Sequence, residues 1–283
     1  MICAGKYVIP VKRISDVHRL YTIGDSHLGN RNCSVDRLEQ DIEVVRRDPL
    51  ARVILVGDIV DAICPADKRW DATQIPDGVP VKALADWGKF LRLTAEKAFK
   101  PIKHKVIGAV YGNHEATFQI RCAEQIHAAF CENLGVPNFG YSCFLDLVFR
   151  REVKGSNAAR SYRIFAHHGA GAAQTAGGKI NRLVAFMLMA EADIYVVGHV
   201  HEKDVKRMEA LTADADCKRL SSKKRLGVFS GTYLRTYAEG AHAGYGERAG
   251  YRPVPLGCSV IEFQPFDHDW GCREESVSAR VAI

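Results

Sequence analysis

Hydrophobic positions in this chain recur as short runs rich in Val, Ile and Tyr, and each run ends in a cluster of Gly, Asp, Asn or His. In order they read RLYTIGDSH, RVILVGDIVD, KVIGAVYGNHE, YRIFAHHG, DIYVVGHVH and GVFSGTYL. β-Branched and aromatic runs bounded by turn residues predict strands. Between them the apolar period lengthens. Val35, Leu38, Ile42 and Val45 fall at helical spacing, with Ser34 as N-cap and Pro49 as a stop. Val81, Leu84, Trp87, Leu91 and Ala98 make one stripe over 80–99. Residues 117–132 and 179–191 also predict helices, the second apolar nearly all round and therefore expected to be buried. Strands alternating with helices predict an α/β fold with a largely parallel sheet. FGYSCFLDLVFR (139–150) instead alternates like an antiparallel strand, followed by a hairpin loop into SYRIFAHH, and CSVIEF (258–263) adds another strand. A mixed sheet, or two stacked sheets, is therefore expected.

Composition narrows the class. Of the 283 residues 47% are apolar and 25% charged, which is globular and excludes a disordered chain. The net charge of +6 favours an anionic partner only weakly. Nine cysteines at irregular spacing, with no Cys-x-x-Cys, point away from a disulfide scaffold or a thiolate zinc site and towards a reducing compartment. MICAGKYVIPVKR lacks the apolar core of a signal peptide, and the longest apolar stretch, LVAFMLMA, falls short of the ~18 residues of a membrane span. A soluble, cytoplasmic protein is expected, with no protein partner indicated. No repeat or linker divides the chain, so 1–283 reads as a single domain, with 202–283 completing the sheet and contributing substrate-side loops.

The polar residues gather where such a fold binds ligands, beyond the carboxyl ends of strands. Asp25 and His27, Asp58 and Asp61, Asn113 and His114, His167 and His168, and His199 and His201 each follow a predicted strand. Six of the 11 histidines fall there, which scatter does not explain. Carboxylate, amide oxygen and imidazole suit Mn, Fe, Zn, Ni or Co, whereas Ca and Mg prefer oxygen. Asp25-x-His27 and His199-x-His201 put alternate side chains on one side of an extended segment. Asp25, His27, Asp58, Asn113, one of His167 and His168, His199 and His201 make seven donors. That is too many for one tetrahedral zinc and suits two ions sharing a carboxylate, with His114 left over as a general acid.

These blocks resemble the calcineurin-like metallophosphoesterase superfamily. Its pattern is D-x-H, G-D-x-x-D, G-N-H-[DE], a His before Gly or Pro, and G-H-x-H; here it stands, in order over 25–201, as DSH, GDIVD, GNHE, HHG and GHVH. The resemblance implies a two-sheet β-sandwich flanked by helices and hydrolysis of a phosphoester by in-line attack of a hydroxide bridging two divalent transition metal ions, manganese first among them. It implies that Asp25, His27 and His201 hold one ion, and that Asn113, His199 and His168 hold the other, with His167 as the alternative. Asp58 would bridge them, His114 would be catalytic, and Asp61 and Glu115 would lie close around.

Within the family, protein phosphatases continue the second block as Asp-Arg-Gly and place Arg before Gly-Asn-His-Glu. Here Ala62 and Tyr111 stand instead, and only Glu115 is like that branch. A phosphodiester, as in a nucleic acid or nucleotide, is the expected substrate, and the C-terminal part resembles phage- or prophage-type members. The alternatives are a phosphomonoesterase of the protein-phosphatase kind, a non-catalytic nucleic-acid-binding module on the same fold, and, lowest, a lipid-sugar pyrophosphatase. Tyr233, Arg235, Tyr237 and Tyr245 are candidates for the substrate side, weighed against an ordinary surface loop. The basic run KRLSSKKR (218–225) is expected as a solvated loop, and GAGAAQTAGGK (169–179) as a loop at the site mouth, since it lacks the spacing of a phosphate-binding loop.

Overall fold

In the computed structural model, which describes residues 1–171, 173–214, 216–266 and 279–282, twelve strands make two six-stranded sheets. In the first, β2 (His18–Ile23), β3 (Ala51–Val56) and β4 (Val106–Val110) are parallel neighbours. β11 (Gly257–Phe263) runs antiparallel to β2, and β10 (Gly231–Thr232) and β12 (Ala279–Ala282) pair along β11. The second sheet has the order β1 (Ile2–Val11), β5 (Ser142–Arg151), β6 (Ala159–His167), β7 (Ile194–Val197), β9 (Leu220–Phe229), β8 (Val205–Ala213). There β6, β7 and β9 are parallel, while β5–β6 and β8–β9 are antiparallel hairpins. Of the two arrangements the chain's pattern left open, a mixed sheet or two stacked sheets, the fold is two stacked sheets, both of mixed strand direction, as the motif resemblance implied.

Alternation along the strands builds three buried layers. Ile54 and Val56 of β3 meet Ile194 and Val196 of β7 in the core between the sheets. Their neighbours Val53 and Leu55 face outward against α1 (Val35–Arg47), α2 (Trp87–Phe99) and α4 (Ile126–Leu134), through Leu38, Val45, Leu91, Phe99 and Phe130. On the far side Tyr195 and Val197 pack on Leu183 and Met187 of α5 (Ala176–Met189). Each such side chain contributes about 1.5–3 kcal/mol of transfer free energy. With both faces covered, the edges and strand ends are left for chemistry.

Several local expectations needed tertiary correction. Ser34 does occupy the N-cap position of α1, but its side chain makes no cap bond; its Oγ instead accepts from Arg235. The stripe over 80–99 divides into a 3-10 turn (Val81–Asp86) and α2, where Asp86 caps by accepting from Lys89 N. The helix expected over 117–132 breaks at Ala123, whose φ is 53°, leaving α3 (Asn113–Cys122) and α4. α5 is not buried all round: Lys179, Leu183 and Met187 are buried, whereas Leu188 and Met189 are 67% and 62% exposed. Residues 218–225 are not a loop, since most of them lie in β9, paired there with β8. β1 was not evident, because Gly5, Lys6 and Pro10 break its alternation; its parallel pairing with β5 shifts register between Cys3 and Lys6.

The segment after His201 supplies β8 and β9 to one sheet and β10–β12 to the other. The eight described cysteines are all free thiols. No helix among the described residues is long and apolar enough to cross a membrane.

Candidate metal centre

The loops leaving β2, β3, β4, β6 and β7 meet at one end of the sandwich, stitched by main-chain bonds. Asp25 N donates to Gly57 O (2.9 Å), His27 N to Asp58 O (3.0 Å) and Tyr233 N to Asp25 O (3.0 Å). Sharp exits are required. Seven non-glycine residues have positive φ among the described residues, and five are Asp25, His27, Asp58, His199 and His201, at 47–71°. Left-handed backbone at such residues costs roughly 1–3 kcal/mol each and persists where the surroundings enforce it. The return is convergence: the turn reverses the side chain towards a common centre. Gly57, at φ 83°, and Gly112 make this possible by close approach. A Cβ on Gly57 would lie 2.6 Å from Gly112 N, and one on Gly112 would lie 2.1 Å from Asp58 Oδ1.

One group of donors is Asp25, His27 and His201. Asp25 is fully buried; its Oδ2 accepts from His199 N (2.9 Å) and Ser230 Oγ (3.4 Å), but its Oδ1 has no hydrogen-bond partner. That orphaned oxygen lies 3.4 Å from His201 Nε2 and 4.0 Å from His27 Nε2, and the two nitrogens are 3.1 Å apart. His27 Nδ1 faces the Asp61 carboxylate at 3.3 Å, which turns Nε2 inward as a lone pair.

A second group is Asp58, His168 and His199, with Asn113 among them. His168 Nδ1 donates to Val56 O (2.8 Å), directing Nε2 to Asn113 Oδ1 (3.0 Å) and Asp58 Oδ2 (3.3 Å). His199 Nε2 donates to Gly171 O (3.0 Å), leaving Nδ1 to face Asn113 Oδ1 at 2.8 Å. Asp58 Oδ2 reaches both sides, lying 4.0 Å from His27 Nε2. Donors sharing one ion at ~2.0–2.2 Å sit roughly 3–3.5 Å apart. The spacing, the orphaned buried oxygen and the facing lone pairs all fit cations held among these residues, and the mixed oxygen and nitrogen set suits a transition metal.

Charge is concentrated here. Asp58 is held well below the usual carboxylate range: burial opposes its ionisation, but His168, His114 and His27 outweigh that. Asp25 is lowered against the same burial by His201 and His168. Burial lowers His27 and His199. His168 is pushed up to about 10, burial opposing and the Asp58 carboxylate prevailing.

His114 stands beside this cluster. Its Nδ1 is 2.9 Å from Asp61 Oδ1 and its Nε2 3.9 Å from Asp58 Oδ2. Burial opposes its protonation, yet Asp58 and Asp61 raise its pKa to about 9. Asp61 thus serves two imidazoles, and Asn30 Nδ2 donates to its other oxygen at 2.7 Å. Glu115 turns away from the cluster. Its carboxylate accepts from Gly112 N (2.9 Å), Asp58 N (3.1 Å), Ile59 N (2.7 Å) and Val60 N (3.3 Å), binding the second and third motif loops together. Burial, with Asp58, pushes it up to about 7.

The seven candidate ligands and His114 are brought together; the expected substrate side is not. His167, the alternative to His168, points elsewhere: its Nδ1 accepts from Gly169 N (2.7 Å) and its ring lies 4.6 Å from that of Phe186. Tyr233 is fully buried, its hydroxyl donating to Asp41 Oδ2 (2.8 Å), so it cannot line a cleft. Arg235 is spent on Ser34 Oγ (2.7 Å) and Cys33 O (3.3 Å), although with Arg31, Asp77 and Tyr237 it borders a cavity of about 450 Å³. Tyr237 and Tyr245 are exposed. The sequence reading missed Arg69, whose Nη1 lies 3.3 Å from His114 Nε2. Its only signal was Asp67 two residues before it; the contact with His114 spans 45 residues.

The chain matches no protein-family model and no curated protein. Among solved structures it is similar to a conserved uncharacterized protein, a predicted phosphoesterase, from Streptococcus pneumoniae TIGR4, at 12% identity over 88% of this chain and 84% of that one, TM-score 0.34. It is also similar to Vps29 complexed with Zn²⁺ from Entamoeba histolytica, at 12% identity over 87% and 86%, TM-score 0.38. A third likeness is Vacuolar Protein Sorting 29 from Cryptosporidium parvum, at 15% over 88% and 86%, TM-score 0.36. Likenesses at this level carry nothing about activity. The chain's own fold is a two-sheet sandwich with the five motif blocks gathered at one end, the arrangement that the resemblance of those blocks leads one to expect.

Proposed function

We propose that this chain is a metal-dependent phosphoesterase using two divalent transition metal ions, and that its substrate is a phosphodiester such as a nucleic acid or nucleotide. The carrying observation is Asp58, whose Oδ2 lies between the two donor groups, 3.3 Å from His168 and 4.0 Å from His27. Asp25, His27 and His201 would hold one ion, and Asn113, His168 and His199 the other, with Asp58 shared. When bound, the ions would supply Lewis acidity and an activated water. The protein's own part is proton delivery and orientation. His114 Nε2 faces the cluster and can protonate a leaving oxygen, while Asp61 at Nδ1 favours the charged imidazole.

Support for a diester is narrower than the sequence suggested. Ala62 and Tyr111 offer no guanidinium, but Arg69 touches His114 from another loop. One guanidinium rather than a pair still suits a singly charged phosphoryl group. A cytoplasmic setting and a single domain over 1–283 belong to the same proposal.

The test is hydrolysis of bis(p-nitrophenyl) phosphate by the full chain with and without added Mn²⁺, Zn²⁺, Fe²⁺, Ni²⁺ or Co²⁺, beside Asp58→Asn. Metal-dependent turnover abolished by Asp58→Asn supports the reading. Near-normal turnover in that variant sinks the shared-carboxylate mechanism, and turnover of p-nitrophenyl phosphate in place of the diester overturns the substrate class.

A further inference from the structure

We propose that Arg69 binds a non-bridging oxygen of the substrate's phosphoryl group on the leaving-group side of the site, and that Asp67 and Arg121 are the residues that position it. The inference rests on the phosphoesterase reading above and adds to it a substrate contact supplied by the loop after the second motif.

The first ground is how the guanidinium is held. Its five N–H groups form a rigid plane with two usable edges. Asp67 takes one edge as a fork: Nε donates to Oδ1 (3.2 Å) and Nη2 to Oδ2 (2.9 Å), and the same Oδ1 accepts from Arg69 N (2.9 Å). The Asp67 side chain is only 3% exposed. A buried carboxylate devoted to one edge of an arginine fixes where the other edge points.

The second ground is where that edge goes. Nη1 lies 3.3 Å from His114 Nε2, the atom that faces Asp58, and the Arg69 side chain keeps 31% of its surface open. Near carboxylates do not consume it, because Asp58 and Asp61 are engaged by histidines. A cationic edge set against an imidazole gains little from that neighbour. It gains more from an anion that both can touch, and adjacent oxygens of one phosphoryl group, one leaving and one non-bridging, fit that pair.

The third ground is shared support. α3 carries Asn113 and His114 in its first turn and Arg121 in its last. Arg121 Nη1 donates to Ala66 O (2.5 Å) and its Nε lies 3.6 Å from Asp67 Oδ2. One helix therefore presents His114 and also anchors the loop that aims Arg69 at it, so their separation is preset before substrate arrives.

The experiment compares wild type, Arg69→Ala, Arg69→Lys and Asp67→Asn as full chains loaded with Mn²⁺. It measures kcat and KM on bis(p-nitrophenyl) phosphate, competitive inhibition by inorganic phosphate, bound metal by mass spectrometry, and Tm. Arg69→Ala is expected to raise the phosphate Ki about tenfold and lower kcat/KM about a hundredfold. Metal content and Tm should stay at wild-type values. Arg69→Lys should recover part of the phosphate affinity, and Asp67→Asn should move Ki in the same direction by less. An active wild type with Arg69→Ala inside twofold on both Ki and kcat/KM overturns the inference alone. So does loss of metal in Arg69→Ala, since the residue would then act through the ligand cluster. A wild type inert on every phosphoester with every metal overturns the underlying reading and this inference with it.

Discussion

His199 Nδ1 lies 2.8 Å from Asn113 Oδ1 while its Nε2 lies 3.0 Å from Gly171 O. Burial disfavours the doubly protonated ring, so one hydrogen cannot serve both oxygens, and placing it on Gly171 O leaves Nδ1 and Oδ1 as facing lone pairs. Two lone pairs so close repel unless a cation sits between them, so the native state should bind metal better than the unfolded chain does. At a hundredfold excess over Kd such linkage is worth about 2.7 kcal/mol. In a chain of this size that raises Tm by about 5 °C. Thermal unfolding of chelator-stripped protein with and without Mn²⁺ or Zn²⁺ measures it, and identical melts with every metal would discard the cation reading.

Loss of His114 should depend on the leaving group. His114→Ala is expected to cost about 10²–10³ on an alkyl ester, whose leaving oxygen needs a proton, and under tenfold on a p-nitrophenyl ester. Steady-state rates on the two substrates decide it. Equal losses leave the imidazole only an electrostatic part.

Asp61 touches no expected ion, yet it faces both His27 Nδ1 and His114 Nδ1. Asp61→Asn keeps the shape and removes the charge. A 10–100-fold drop in metal affinity or kcat is expected, as for other partners of ligand histidines. Isothermal titration with Mn²⁺ and kcat together test it, and wild-type values in both would make the carboxylate dispensable.

Glu115 and Tyr233 should separate by stability. Glu115→Ala strands four main-chain N–H groups around Asp58 and Gly112, at a cost of at least about 3 kcal/mol. Tyr233→Phe removes one hydroxyl bond to Asp41, worth about 1 kcal/mol, and should leave KM unchanged. Urea unfolding reads the first two numbers. A raised KM in Tyr233→Phe would return that ring to the substrate side.

Burial holds His127 neutral, with its pKa lowered to about 4 from 6.5, and lowers His18 too. Below pH 6.5 the unfolded chain takes up these protons and the folded chain does not. Stability is therefore lost as pH falls from about 6.5 to about 4, by roughly 3 kcal/mol through His127 alone. His127→Gln should flatten that part of the unfolding profile. An unchanged slope between pH 6.5 and 4 would assign the acid sensitivity elsewhere.

Much of this site is legible in the chain because its determinants are local. A strand needs its own alternation, and a tight exit such as Gly57-Asp58 needs a glycine beside the ligand, so each motif block declares itself within a few residues. The same signals left a mixed sheet or two stacked sheets open, and the resemblance of the motif blocks favoured the sandwich. Choices between neighbours were not local. His168 enters the cluster and His167 does not because β6 pairs with β5 and β7 so that His167 packs on Phe186, while His168 reaches Val56 O on the other sheet. Tyr233 read as a cleft residue until Asp41, 192 positions away, took its hydroxyl inside the core. Arg69 had no signal of its own, since a guanidinium acquires meaning only from what a distant loop brings against it. By itself the sequence determined which side chains could bind metal and which strands would end in them. Packing of one sheet and its helices against the other decided which of them meet, because long-range contacts select among conformations that local propensity leaves equal.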